Sequence, residues 1–428
     1  CGCIHKTVSE RHLNEIVKKI KEVAERAKNE NQFHELVIED TIEVGIAPES
    51  DKQLLEKWAA ENAVTVNIVP VTNKTRVPVV TTALEGGTGP VLLILKDFEP
   101  ALFAKGLIDV SDLAKEFGTQ NGGWYPLCEE IGIVDGSWKA LPIYAYAHVM
   151  FYRRDVLQQL GLDVPQTWED FRSVLRSIKE AGVMYPFGIA YGRATDCQQW
   201  LIGVIRSFGG KVLDDTGTKI VFNSPETVEA LKFVTDLYRD GLMDPTVLGW
   251  DDGTNNQAML SGRIAFTFNS FSIKMQAETD FPELAPNIGA DVYPAGPAGR
   301  FIFPSTLSYA IRANASEEEI DLAKDLLRWL FKPENYAYVL NYTHGASGTA
   351  FKGFADLDIW KRQDWDVNLK AMPYVHVWVT PSQAAAAAWN DWVFADMISD
   401  VLVKAMTPEA AVERATKRLA EYYHLPVQ

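Results

Sequence analysis

Tyr144 and Tyr146 alternate within the apolar run LPIYAYAHVMFYR, and side chains two apart on an extended segment share a face. Two rings on one face make a wall for a flat ligand, although the same alternation fits packing within a sheet. Asp251 and Asp252 are adjacent carboxylates of the kind used as acid and base. Neighbours on one loop point apart, so a solvated loop is the simpler reading. No GxSxG elbow and no HExxH occur, and the seven His are scattered without metal-ligand spacing. Glycoside hydrolysis needs two carboxylates roughly 5 to 9.5 Å apart across a sugar, and nothing in the sequence marks such a pair. The glycine-rich segment GGTGP lacks the GK[ST] ending of a phosphate loop and reads as a turn.

Four cysteines stand at Cys1, Cys3, Cys128 and Cys197, with no CxxC pair and no zinc spacing. Cys1 followed by Gly2 is the pattern left by lipoprotein signal cleavage, so Cys1 is expected to carry a diacylglyceryl anchor. Cys128 and Cys197 are open to a disulfide in an oxidising compartment if they lie within bridging distance.

The 428 residues are 47% hydrophobic and 23% charged, enough for two lobes with two cores. No run of about 18 or more apolar residues is present. A formal net charge of -16 disfavours nucleic acid, which calls for clustered Lys and Arg. It is compatible with a neutral or cationic ligand and selects neither.

The elements that position these residues begin with an amphipathic helix over residues 9 to 30, read either as a stalk or as a helix packed on a lobe. From Thr41 the order is strand (TIEVGIA), helix (ESDKQLLEKWAAEN), strand (VTVNIVPV), then a further strand at VLLIL. Such alternation predicts a mainly parallel α/β sheet. Ligands on these sheets sit beyond the carboxyl ends of the strands. That singles out the loops Ala47 to Asp51, which holds Glu49, and Lys96 to Glu99, which holds Asp97.

The succession DGSWKALP then FYRRDVLQQLGLDVPQTWEDF resembles the extracellular solute-binding proteins of carbohydrate ABC importers, the family that includes maltose-binding protein. Further likeness lies in TTALEGGTGP, DFEPALFAKGLIDVSDL, NSPETVEALKFVTDLYRDGLMDP, GWDDGTNNQAMLSGRIAFTFNSF and YPAGPAGRFIFPS. The usual Asp after Pro90 is replaced by Val91. The resemblance implies a periplasmic-binding-protein fold: two α/β lobes with mainly parallel sheets joined by a hinge of three crossovers. Lobe 1 is expected at 41–143 plus 303–345, and lobe 2 at 144–302 plus 346–428. The crossovers are expected at Pro142, around Phe303 to Ser305, and near Tyr342 to Thr349.

Sugars present apolar ring faces and hydroxyl edges, so a site for them needs planar aromatics beside Asp, Asn, Gln and Arg. The resemblance points to Tyr144 and Tyr146 at the cleft floor and to Trp250, Trp378 and Trp200 as stacking partners; Trp200 equally fits a core. Asp97, Gln199, Asn269 and Ser305 are the expected hydrogen-bonding groups, with Glu49 and Asp252 on flanking loops. The implied function is capture of a sugar, in its finer form an oligosaccharide, by hinge closure and its delivery to a membrane permease. No cofactor, metal or catalysis is expected, and the protein should be a lipid-anchored monomer on the outer side of the cell membrane or in the periplasm. A binding protein for glycerol phosphate or a polyamine, or an enzyme acting on glycosides, is the alternative.

Overall fold

The computed structural model describes residues 35–41, 48–71 and 75–428; Cys1, Cys3 and the helix expected over residues 9 to 30 lie outside them. The described residues open with β1 (Glu35–Thr41), α1 (Pro48–Asn62) and β2 (Thr65–Val71). The first strand therefore ends at Thr41, where the sequence pattern has it begin, and residues 42–47 fall outside the described ones. Glu49 lies in the first turn of α1, but its side chain is outside the described part.

Next, α2 (Arg76–Gly86) ends at Gly87 with φ 67°, and Gly89 follows at φ 98°. Those left-handed angles suit glycine, so GGTGP is a helix stop and turn. The run LLILK forms β3 (Leu92–Lys96), buried along its whole length, as a strand covered on both faces must be. The short α3 (Glu99–Phe103) follows directly.

Apart from a two-stranded ribbon that pairs Ile133–Val134 with Ser137–Trp138, the strands that complete the sheets are β4 (Leu141–Ala147), β5 (Val149–Arg153), β6 (Tyr185–Phe187), β7 (Ile264–Asn269), β8 (Ile288–Asp291) and β9 (Pro304–Ile311). They form a five-stranded sheet, β2-β1-β3-β9-β4, and a four-stranded sheet, β8-β5-β7-β6. In the first, β9 alone runs against its neighbours β3 and β4; in the second, β5 alone runs against β8 and β7. Each reversed strand is the one by which the chain enters that sheet from the other. Pro142 is accommodated because β4 is an edge strand, with a register shift opposite Leu307 and Ser308.

The first passage between sheets falls at His148, so Tyr144 and Tyr146 belong to the five-stranded sheet, beyond the boundary expected at residue 143. A second passage is the segment 292–303 between β8 and β9. For the third, Phe351 still packs on Trp124, ring centroids 4.1 Å apart, whereas Trp365 lies 5.3 Å from Phe271. The chain thus leaves the first sheet after Phe351, later than the segment Tyr342 to Thr349 suggests. That segment instead closes the free edge of β4, where Gly348, at φ 63°, bridges Ala145. A Cβ there would meet the Ala145 carbonyl at 2.1 Å.

Helix α4 (Trp168–Ala181) starts with a capping box in which Thr167 pairs with Asp170. Glu169, its neighbour, is one residue short of the position that can reach back. Beyond it come α5 (Thr195–Phe208), α6 (Glu317–Leu330) and α7 (Pro333–Tyr342). The chain closes with α8 (Gln383–Asn390), α9 (Val393–Leu402) and α10 (Pro408–Tyr423). Helix α9 packs on α5 and α10, while α8 packs on both α10 and α3, reaching across to the first sheet. Cys128 and Cys197 are both buried and free, one bonded to the Ala350 carbonyl at 3.6 Å and the other on α5. Burial pushes both thiols well up. They form no disulfide: Cys128 sits on the short helix Pro126–Gly132 and Cys197 on α5, each with its thiol free.

Candidate functional site

At the carboxyl end of β3, Asp97 adopts φ 49° and turns the chain sharply into α3. Glu99 in the first turn then folds back, its Oε2 accepting the Lys96 N–H at 2.9 Å. Both its oxygens accept from Arg76 at the start of α2, at 2.7 and 3.0 Å. This bidentate ion pair is buried on both sides, a geometry that matches the guanidinium fork to a carboxylate.

Facing it is the start of α5. Arg193 grips Asp396 of α9 through two bonds of 2.9 and 3.1 Å. Burial pushes the Asp396 carboxyl up, but the bonds from Arg193 and Arg418 prevail and hold it below the usual range. Asp196 is held by Asn255 and Asn269 at 2.9 and 3.0 Å, and its other oxygen lies 3.3 Å from His148 Nε2. His148 Nδ1 is 2.9 Å from the Tyr293 hydroxyl, so this histidine ties both passages between sheets to α5. The Asp196 N–H donates to Asp252 Oδ1 at 2.9 Å. Burial, and then the Asp196 carboxylate beside it, push Asp252 up to about 6 against the pull of that N–H and of Lys96.

Between these two surfaces lies a cavity of about 410 Å³, walled by Arg76, Lys96, Asp97, Phe98 and Glu99 on one side and by Arg193, Thr195, Asp251 and Asp252 on the other. The junction of α8 and α9 completes it with Trp389, Asn390 and Trp392. The cavity thus has aromatic surface next to acceptors and donors of both charge signs. Among the described residues no group of three His, Cys, Asp or Glu could hold a metal. None of the described helices is long and apolar enough to cross a membrane.

Several residues expected from sequence do converge. Gln199 Nε2 lies 3.5 Å from Ser305 Oγ, and that hydroxyl donates to Asp97 Oδ1 at 3.3 Å, with the Thr306 N–H adding 3.0 Å. This spine links α5, β9 and the end of β3. Asn269 and Asp252 meet at Asp196. Asp251 and Asp252 do point apart: Asp251 caps its own turn through Thr254 and Gly253.

The aromatic expectations fare differently. Trp200 is fully buried among Trp168, Phe187, Tyr191 and Phe268, a core position. Trp250 covers Gly188, where a Cβ would sit 2.7 Å from the ring, and its Nε1 donates to Thr246 Oγ1 at 2.8 Å. Trp378 stands edge-on behind Phe98 at 5.7 Å and is not itself on the cavity wall. Tyr144 lines a void of about 20 Å³ with Tyr309, Phe331 and Tyr336, inside the core between the first sheet and α6 and α7. Tyr146 is buried opposite Ser305 in register. An edge strand covered by helices buries its aromatic face in the same way a ligand would.

Trp389 and Trp392 escape the sequence reading because they follow an alanine run that suits close helix packing. The cluster WNDW at a helix end is the signal that marks them. Arg76, Glu99 and Arg193 carry no local signature, since their ion-pair partners lie 23 and 203 residues away along the chain.

Residues 45–337 match the model of the bacterial extracellular solute-binding protein family. The Escherichia coli protein YcjN, whose name places it among ABC transporter periplasmic-binding proteins, is 22% identical over 374 residues, 85% of this chain and 84% of its own length. The structure of T. maritima MalE3 with maltose bound is similar at a TM-score of 0.80 and 22% identity, covering 91% of this chain and 100% of that one. The GacH receptor of Streptomyces glaucescens, solved unliganded and with acarbose, gives 0.80 at 16% identity, covering 91% and 98%. The name of the first of these is that of a binding protein of an ABC transporter, and the two structures are of proteins solved with maltose and with acarbose. With the family match extending over residues 45–337, the chain belongs to the bacterial extracellular solute-binding proteins.

Proposed function

We propose that this protein captures a neutral sugar, an oligosaccharide in the fullest form of the reading, in the cleft between its two sheets and hands it to the permease of an ABC importer. The observation that carries this is the pairing of charges around the cavity. Arg76 is matched by Glu99 and Arg193 by Asp396, so two of the cavity's cations arrive already neutralised. A phosphate ligand would call for cations held ready for it, and a polyamine for a box of acceptors without such partners. Paired charges beside Trp389, Trp392 and Phe98 suit hydroxyl edges and an apolar ring face. The maltose and acarbose of the two similar structures agree with a sugar.

The lobes of this reading are the two sheets with their helices, and the hinge is the three passages between them. A solute touching both walls stabilises the closed arrangement by its differential affinity for it. The protein is then a monomer working outside the cytoplasmic membrane. Attachment through a lipid on Cys1 stays with this proposal, and mass spectrometry of protein extracted from membranes tests it.

The decisive experiment is a thermal-shift screen against mono- and oligosaccharides, ribitol, spermidine and glycerol 3-phosphate, with each supernatant assayed for breakdown. A ligand at 100 times its dissociation constant adds about 2.7 kcal/mol of stability. Stabilisation by an intact sugar is expected; stabilisation by spermidine or glycerol 3-phosphate alone replaces the sugar with that solute.

A further inference from the structure

We infer that solute capture is linked to a proton on Asp252: the loaded cleft holds this residue as a carboxylate, and acidification weakens binding. The inference rests on the cleft being the solute site, whatever the solute. Asp252 stands on the cavity wall contributed by the second sheet, across from Lys96 on the wall of the first. Its Oδ1 takes one backbone N–H, from Asp196.

The neighbouring Asp196 carboxylate is engaged by Asn255, Asn269 and His148. Two carboxylates side by side in a partly enclosed site raise the proton affinity of one of them. The one with fewer donors, Asp252, is where the proton goes. Burial and the Asp196 charge push Asp252 up to about 6, and Lys96 pulls the other way.

The other charged groups around the cavity are committed. Arg76 pairs with Glu99, Arg193 with Asp396, Asp97 takes bonds from Ser305 and Thr306, and Asp251 is held by Thr254. Cys197, on α5 behind Asp252, is a buried thiol whose proton affinity burial raises, with Asp252 adding to that rise. Asp252 is therefore the carboxylate at this wall whose charge changes near pH 6.

A bound solute excludes water from the cavity, which strengthens the attraction of Lys96 for Asp252 and also the burial and Asp196 repulsion that push its proton affinity up. A solute hydroxyl donating to Asp252 favours the ionised form. That donated bond is the contribution that decides the sign: it lowers the proton affinity of Asp252 in the loaded state, so binding near pH 6 releases a proton. By linkage, solute affinity then falls by up to about tenfold per pH unit below about 6.

Two measurements test this. In the ligand-free protein, the Asp252 side-chain carboxyl resonance, assigned by its loss in D252N, should titrate near pH 6; titration in the ordinary range near 4 overturns the inference without reference to any ligand. Calorimetric titration with maltose, ribitol, spermidine and glycerol 3-phosphate at about pH 5 and about pH 7.5 should show a loss of affinity approaching tenfold at the lower pH in the wild type and a flat profile in D252N. A wild-type profile without that loss, or one that persists in D252N, overturns it. Binding of spermidine in place of every sugar would remove the proposed substrate and leave the proton linkage standing on its own pH profile.

Discussion

Trp389 lies parallel to Phe303, with ring centroids 4.6 Å apart and planes inclined by 13°. One ring comes from α8, among the C-terminal helices, and the other from the passage that leads into β9 of the first sheet. Phe98 at the end of β3 meets the same Trp389 at 6.4 Å. Trp389 on the cleft wall is thus backed by rings from two segments remote in sequence, and this stacking couples the α8 helix to the first sheet.

That coupling predicts two effects of one substitution. Trp389→Ala should weaken solute binding by roughly tenfold to a hundredfold and also lower the melting temperature, because aromatic pairs are worth about 0.5–1.5 kcal/mol beyond burial. Trp389→Phe should keep most of the stability and lose part of the affinity. Calorimetry and thermal unfolding together read this out, and unchanged binding in the alanine variant would leave Trp389 a packing residue only.

The Arg76 and Glu99 pair should behave as buried charges do. Removing one partner, as in Arg76→Met, leaves an uncompensated carboxylate and should cost about 3–5 kcal/mol. The double variant Arg76→Met with Glu99→Leu should recover most of that loss in urea unfolding. Failure to recover would mean that the Glu99 bond to the Lys96 N–H, rather than the charge balance, holds the α3 turn.

Asp252 should make the protein less stable as pH rises. Its folded-state proton affinity, pushed up to about 6, exceeds the unfolded value of 3.8. The folded state therefore binds the extra proton between those values, and stability falls as pH rises through that window. Asp252→Asn should gain about 3 kcal/mol at neutral pH, with the gain fading as pH drops from about 6 to about 4. Denaturant midpoints measured from acid to neutral pH decide the point; an asparagine variant less stable at neutral pH contradicts it.

Trp200 and Tyr144 separate core from site. Trp200→Ala should cost roughly 3–5 kcal/mol, and Tyr144→Ala a comparable amount, by leaving cavities in close-packed interiors. For variants that remain folded, solute affinity should match the wild type. A large loss of affinity at Tyr144 without loss of stability would return that residue to the cleft.

The local elements were legible in the sequence wherever short-range chemistry governs them. Examples are the apolar β3, the Ser224 cap of the helix Pro225–Arg239, the helix beginning at Glu317 and the Gly161 stop at φ 65°. The turn at GGTGP and the exposed caps of Asp251 belong to the same class. The alternation of strands and helices also carried the mainly parallel sheets, because a parallel pair demands a covering crossover.

Tertiary structure alone decided which side chains meet. Arg76 and Glu99 are 23 residues apart, Asp196 and Asn269 are 73 apart, and Gln199 and Ser305 are 106 apart. A polar pair of that separation leaves no periodicity for a sequence reading to find. Aromatic residues show the same limit: alternation puts Tyr144 and Tyr146 on one face but does not say whether helices or a solute cover it. The face is buried because α6 and α7 pack there, and the cleft takes its rings from Phe98, Trp389 and Trp392 because the C-terminal helices fold back across the end of β3.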